Sequence, residues 1–334
     1  MRTLPIALAL LSCALAGPAF AWEDTGHRMV TSLAVQAFPA ELPAFLRSPE
    51  AAWRITELAR EPDRSKGAGQ PHDADLDPGH FVDVDDAGKV LNGPPLAALP
   101  RDREDYEKAL QAAGTNSWDA GFLPYTIVEG WQQLAKDFAY WRAARVGERT
   151  GKTRAERQWF ANDRKLREEL IVRDLGYWSH FVGDGSQPLH ASMHYNGWGD
   201  FPNPQNFTRD RIHAPFEGQF VKANARAQDV RAAMAPYQPC GCTVQVATSR
   251  YLLNAAAKVE PLYRLWGEGG FKGADPRGIA FVTERLAAGA GQLRDMVVDA
   301  WRASAGSTVG YPATPAKAVE ASGVAPFDTI YGRQ

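Results

Sequence analysis

Residues 178 to 190, WSHFVGDGSQPLH, place two histidines and an aspartate close together in the chain. His180 and Asp184 are four apart, so on a helix they share one face about a turn from each other. His190 follows beyond Gly185 and Pro188, residue types that end a helix and turn the chain. The spacing predicts a helix end and a tight turn that return a third ligand-type side chain toward the first two. Imidazole nitrogen and carboxylate oxygen are donors suited to zinc.

Other histidines repeat the theme. His213 precedes Glu217 by four residues, again one helical face, and His80 stands in DPGHFVDVDD after a loop that carries Asp63. His27 comes five residues after Trp22. One His/acid pair is more often a solvated ion pair than a metal site, and His72 and His194 keep that ordinary reading. Two i,i+4 pairs, a further histidine past one of them and a His/Asp loop pair together point to metal. The shortage of cysteine, three in 334 residues, argues against a thiolate structural site.

These residues need elements to position them. Helical periodicity runs through residues 26–38, 124–146, 154–184, 211–234, 249–269 and 278–304, with no competing alternation of strand type. Pro, Gly and Asp cluster at 61–78, 92–100 and 196–206, which read as loops. The expected architecture is all-α, a single domain of packed helices over 22–304 with long functional loops. The tail, 305–334, lacks a persistent period and is either a surface strap or flexible.

Composition bounds the partners. Lys and Arg number 37 against 39 Asp and Glu, so no bulk field draws the chain to phosphate, and binding of nucleic acid would depend on a local site. No protein partner is implied. Residues 1–21 carry Arg2, an apolar run and Ala19-Phe20-Ala21, the pattern of a secretory signal peptide, which implies a secreted or periplasmic protein starting at Trp22. Cys240 and Cys242, in PCGC, either pair with each other or stay reduced.

The set Trp22-x-x-x-Gly26-His27, Asp63, His80-Phe81-x-Asp83, His180-x-x-Gly183-Asp184-x-x-Gln187-Pro188-x-His190 and His213-x-x-x-Glu217 resembles the superfamily joining zinc-dependent phospholipase C to single-strand-specific nucleases of the S-one/P-one type. The resemblance implies three Zn²⁺ at the base of a cleft. One would be held by Asp63, His80, His180 and Asp184, with Asp184 bridging. Another would take His190, His213 and Glu217, and a third the Trp22 amine and carbonyl, His27 and Asp184. Cleavage of the leader would then create a ligand, the free amine of Trp22. Asp63 would also orient the attacking water, as the catalytic carboxylate.

The resemblance implies a secreted phosphodiesterase, and two features divide over the substrate. Close spacing of Trp22 and His27 matches the nuclease branch, giving as leading expectation hydrolysis of single-stranded nucleic acid or nucleotides, of endonuclease/3'-nucleotidase type. Substrate binding would fall to Lys66, to Phe81 stacking on a base and to Asp83 reading its edge. Glu217, where that branch carries Asp, matches the phospholipase habit, so the alternative is a phospholipase C acting on phosphatidylcholine-type lipids. A non-catalytic zinc-binding protein is the remote third reading. The aromatics of 191–212 serve as a cleft rim or as packing anchors.

Overall fold

A computed structural model describes residues 22–66, 69 and 75–330; the expected signal peptide and His72 lie outside the described residues. Two antiparallel helices form the spine, α5 (Leu123–Thr150) and α6 (Arg154–Asp184). Around them pack α1 (Glu23–Gln36), α2 (Pro49–Leu58), α7 (Val244–Ala256) and α9 (Pro276–Ser304), while α3 (Glu61–Ser65), α4 (Arg103–Ala112) and α8 (Val259–Gly267) complete the all-α domain.

The turn between the spine helices is written locally. Thr153 caps α6 by accepting from the Glu156 amide at 3.1 Å, and the Glu156 carboxylate accepts from the Lys152 amide at 2.7 Å, a reciprocal arrangement worth about 1 kcal/mol. Register comes from two glycines. A Cβ on Gly130 would fall 2.6 Å from Trp178 Nε1, and one on Gly147 would run into the Phe160 ring. Small residues on α5 therefore receive large rings from α6, fixing how far the helices slide and hence where Asp184 ends.

Two cores result. One fills the spine with Phe138, Leu175, Trp178 and Val297, and each such side chain contributes roughly 1.5–3 kcal/mol on full burial. The second, with Trp22, Phe216, Tyr263 and Leu286, packs where α1 meets α9. Residues 305–330 lie as a strap: a short antiparallel pair, β1 (Thr308–Val309) and β2 (Thr314–Pro315), leads to α10 (Ala316–Ser322), whose Ala316 and Val319 pack on Ala139 and Val146 of α5.

Several periodicity readings require correction. The helix expected over 249–269 breaks between α7 and α8, because Pro261 cannot donate to the Ala257 carbonyl four residues back. The helix expected over 211–234 opens as a π-helical turn, Pro215–Phe220, and is interrupted at Ala225, which is extended. Phe216, Phe220 and Val221 are all buried there, and a spacing of four and five residues fits the wider turn. Within the region read as loop, residues 61–65 are helical. Cys240 and Cys242 are joined as a disulfide.

Candidate metal centre

The end of α6 delivers His180 and Asp184, both fully buried, and the turn Pro188–His190 returns His190 beside them. Asp63 arrives on α3, His80 at the end of the turn Asp77–His80, His27 on α1, and His213 and Glu217 on or just before the π-turn. Three ligand-type groups form, each with donor atoms within 4.8 Å: His27, His180 and Asp184; Asp63, His80 and His180; His190, His213 and Glu217.

Asp184 links the first two. Its Oδ1 lies 3.4 Å from His27 Nε2, while Oδ2 lies 3.2 Å from His80 Nδ1 and 3.5 Å from His180 Nε2. His27 stacks on His180 with ring centroids 3.7 Å apart, an approach for which Gly183 leaves room. Asp63 Oδ1 is 3.7 Å from His180 Nε2. In the third group His213 Nε2 is 2.8 Å from Glu217 Oε2 and 3.1 Å from His190 Nε2.

A metal fits this donor set on its own chemistry. Nδ1 of His180, His190 and His213 lies against the carbonyls of Ala59, His80 and Tyr195 at 2.8, 2.7 and 2.9 Å. Assigning the ring proton to each Nδ1 leaves Nε2 as a bare donor turned into the cluster, the outer arrangement that metal-binding histidines use. Asp184 Oδ1 and Glu217 Oε1 are buried with no hydrogen-bond partner among the described residues. Buried carboxylate oxygens without partners are costly unless a cation meets them.

Electrostatics agree. Burial drives His80 and His180 well below the usual imidazole range, with the Lys66 ammonium adding to it, and burial also lowers His190. These rings are held neutral, as ligation requires. Burial raises the Asp184 carboxyl well above its ordinary range; Lys66 opposes this, and Asp63 and Glu217 reinforce it. Glu217 goes the other way when His213 and His190 carry protons on the facing nitrogens: burial works to raise it, but they outweigh that and hold it at about 2.

Trp22 is placed at the same centre. Its backbone nitrogen lies 3.2 Å from Glu217 Oε2, and its fully buried indole donates to Gly183 O at 3.0 Å and Ser186 Oγ at 2.9 Å. Trp22 and Glu23 both have left-handed backbone, φ 42° and 39°, which costs a non-glycine residue about 1–2 kcal/mol. Anchoring of the indole offsets that strain and fixes the nitrogen on Glu217.

Of the substrate-binding candidates, Lys66 pairs with a candidate ligand. Lys66 Nζ lies 3.0 Å from Asp63 Oδ1, and both side chains retain slight exposure, 10% and 12%. Phe81 is half-buried. Asp83 is buried, its Oδ1 has no hydrogen-bond partner among the described residues, and burial raises its carboxyl well above the usual range. Extended backbone at Phe81 puts Phe81 and Asp83 on one side of the segment and buried Val82 on the other.

Two further residues belong to the centre. Gln187 is fully buried and donates to Glu217 Oε2 at 2.9 Å, so it holds a carboxylate in place; its position inside the HxxGDxxQPxH stretch was its only signal. The Glu23 carboxylate lies against Gly218, and burial together with Glu217 raises it. His194 is elsewhere, stacked on Trp198 with both ring nitrogens engaged, by Trp198 O and Asp86. Within 191–212, Trp198 and Phe207 are packing anchors, whereas Tyr195 and Phe201 are exposed.

No family model matches the chain, and no curated protein does. Among solved structures it is similar to the alpha toxin from Clostridium absonum, at 12% identity and TM-score 0.43, covering 86% of this chain and 68% of that one. It is also similar to Clostridium perfringens alpha-toxin isolated from avian strain SWCP, at 13% identity and TM-score 0.39, covering 88% of this chain and 69% of that one. At these scores neither likeness bears on function.

Proposed function

We propose that the chain is a zinc-dependent hydrolase of phosphodiester bonds, holding three Zn²⁺ on Trp22, His27, Asp63, His80, His180, Asp184, His190, His213 and Glu217. The observation that carries this reading is the convergence of imidazole nitrogens and carboxylates in three adjoining groups, with Asp184 Oδ1 and Glu217 Oε1 buried and without a hydrogen bond among the described residues. Bound zinc supplies Lewis acidity to a phosphoryl group and to an attacking water. The chain does the rest. Asp63, slightly exposed beside the cluster, is suited to orient that water and accept its proton. Lys66, 3.0 Å from Asp63, places a positive charge where phosphoryl oxygens would lie. Gln187 and the Trp22 indole hold Glu217 and the terminal nitrogen in register.

For the substrate, two observations favour different classes. The exposed apolar side chains Leu76, Trp118, Tyr195 and Phe201 flank segments that bear candidate ligands, and with Glu217 they favour a phospholipid headgroup presented at a lipid surface. The Trp22-to-His27 spacing, with half-buried Phe81 beside Asp83, favours single-stranded nucleic acid or nucleotides. A leader at residues 1–21 would deliver the protein to the periplasm or medium with Trp22 first. Among the described residues no helix is long and apolar enough to cross a membrane.

The test is a parallel assay of zinc-loaded protein beginning at Trp22. Nucleotide release from single-stranded DNA and RNA is compared with phosphocholine release from phosphatidylcholine dispersions, each with and without chelator. Chelator-sensitive release in one arm assigns the class. Zinc uptake with no turnover in either arm would overturn the hydrolase reading.

A further inference from the structure

Cys240 and Cys242, the joined pair in PCGC, stand immediately before α7, in the wall of a cavity of about 1020 Å³ that none of the candidate metal ligands lines. The bond closes a loop with only Gly241 between its ends. A disulfide constrains the unfolded chain more the longer the loop it closes, so this one adds little as a staple.

It lies instead where a reagent can reach it and where thiolates are favoured. Both cysteines are half-buried, and Gly241 between them is exposed. A Cβ on Gly241, whose φ is +61°, would have nothing within 4 Å, so that side of the turn is open. Trp131, Tyr251 and Met296 supply apolar wall in the adjoining cavity, with space for the remainder of a thiol-bearing molecule.

Each sulfur has its own source of positive potential. Cys242 directly precedes Thr243, the cap of the 13-residue α7, and the first turn of that helix carries no acidic side chain. The positive end of the helix dipole is therefore not offset there, and a helix N-terminus favours the thiolate form of a cysteine. Arg250, further along α7, brings Nη1 to 3.5 Å from Cys240 Sγ. The carboxylates of the cavity are engaged with other groups: Glu284 with Lys258, Asp295 with Arg294, and Asp299 with the Tyr237 hydroxyl.

We propose that Cys240 and Cys242 are a redox-active pair that oxidises thiols by disulfide exchange, independently of the metal centre. A substrate thiolate attacks Cys242 Sγ and forms a mixed disulfide, while the Cys240–Cys242 bond breaks and its electron pair leaves on Cys240 Sγ beside the Arg250 guanidinium. A second substrate thiolate then attacks the substrate sulfur of the mixed disulfide, and Cys242 leaves as a thiolate next to the start of α7. Two thiols thus become one disulfide, their two electrons pass to the cysteine pair, and their two protons pass to solvent or to the new thiolates. A disulfide compound returns the pair to its oxidised form by the reverse exchange.

Zinc-loaded protein beginning at Trp22 has no other cysteine, so thiol alkylation read by mass spectrometry reports this pair alone. It is equilibrated with a series of mixtures of reduced and oxidised glutathione. The expected result is partial reduction within the series, and an equilibrium constant shifted about two- to fivefold toward the disulfide in Arg250→Gln, as loss of an exposed charge contact implies. Arg302→Gln, whose side chain pairs with Glu41 and Tyr237, is the control for loss of a lining charge and should leave the constant unchanged. A second arm supplies a peptide with two cysteines, with oxidised glutathione as terminal oxidant. Faster closure of the peptide disulfide than glutathione alone gives assigns peptide thiols as substrates, and reduction by glutathione without that acceleration assigns small thiols. Replacing both cysteines with Ser should abolish exchange while zinc content persists, which separates this result from failure of the metal-centre reading. A pair that stays fully oxidised in the most reducing mixture would overturn the proposal, as would an Arg250→Gln variant that titrates as wild type.

Discussion

His190 Nε2 and His213 Nε2 face each other across 3.1 Å, while Nδ1 of each ring lies against a backbone carbonyl. With Glu217 Oε2 also 2.8 Å from His213 Nε2, three acceptors crowd one point. A single proton there serves the contacts poorly, whereas a divalent cation satisfies all three lone pairs together. Zinc should therefore stabilise the fold. Removing it is expected to lower Tm by at least several degrees, and adding it back should restore the loss, measured by calorimetry. An unchanged Tm would remove the third ligand group from the metal assignment.

Asp184 offers Oδ1 to His27 and Oδ2 to His80 and His180, joining two of the groups. Replacing it with Asn keeps the shape but removes the charge. The expected outcome is loss of more than one equivalent of zinc by elemental analysis, with hydrolysis reduced at least about a hundredfold. Full metal content in Asp184→Asn would refute the bridging role.

The Trp22 nitrogen lies 3.2 Å from Glu217 Oε2, where only a free amine can offer a lone pair to metal. In protein beginning at Trp22 that nitrogen would be a free amine, and one alanine retained before it would convert the amine to an amide. Activity should fall at least about tenfold, with the fold unchanged by circular dichroism. Equal activity of the extended protein and of protein beginning at Trp22 would show that the nitrogen is not a ligand.

Proton competition sets the pH dependence of metal binding. Burial raises Asp184 above the ordinary carboxylate range in the metal-free state, so zinc must displace a proton there below that raised pKa. Affinity should weaken as pH falls and level off once Asp184 is ionised without metal. Competition with a fluorescent chelator across pH 5 to 8 reads this directly; a flat profile would contradict it.

Asp295 gives a stability signature far from the metal. Burial raises it from 3.8 to about 6, so folding favours its protonated form. That contribution is full below the unfolded pKa and is lost as pH rises through about 6, an effect of roughly 2 kcal/mol after allowance for its partial exposure. The urea stability of wild type relative to Asp295→Asn should fall by about that amount between pH 4 and pH 7. A constant difference would mean that Arg294 keeps the carboxylate ionised.

Spacing makes the two i,i+4 pairs of the candidate centre legible, while the grouping of the other candidate donors comes from the family resemblance. A four-residue interval on a helix fixes two side chains on one face whatever surrounds it, which is why His180 with Asp184 was recoverable, and Gly185 with Pro188 announced the turn to His190. Helical class followed from periodicity for the same local reason, since 3.6-residue repeats specify an amphipathic helix without reference to its partners.

What the sequence could not carry was assembly. Its residues named the candidate donors, but that Ala59 O fixes His180, that Gln187 reaches Glu217, and that Trp22 folds back onto a π-turn almost two hundred residues away are pairings between distant segments. The broken helices at Ala225 and Ala257 and the cavity lined by Arg285 and Arg294 depend likewise on packing. Tertiary contacts decide such features because burial and shape complementarity are properties of pairs of elements, and no single stretch of chain contains both members.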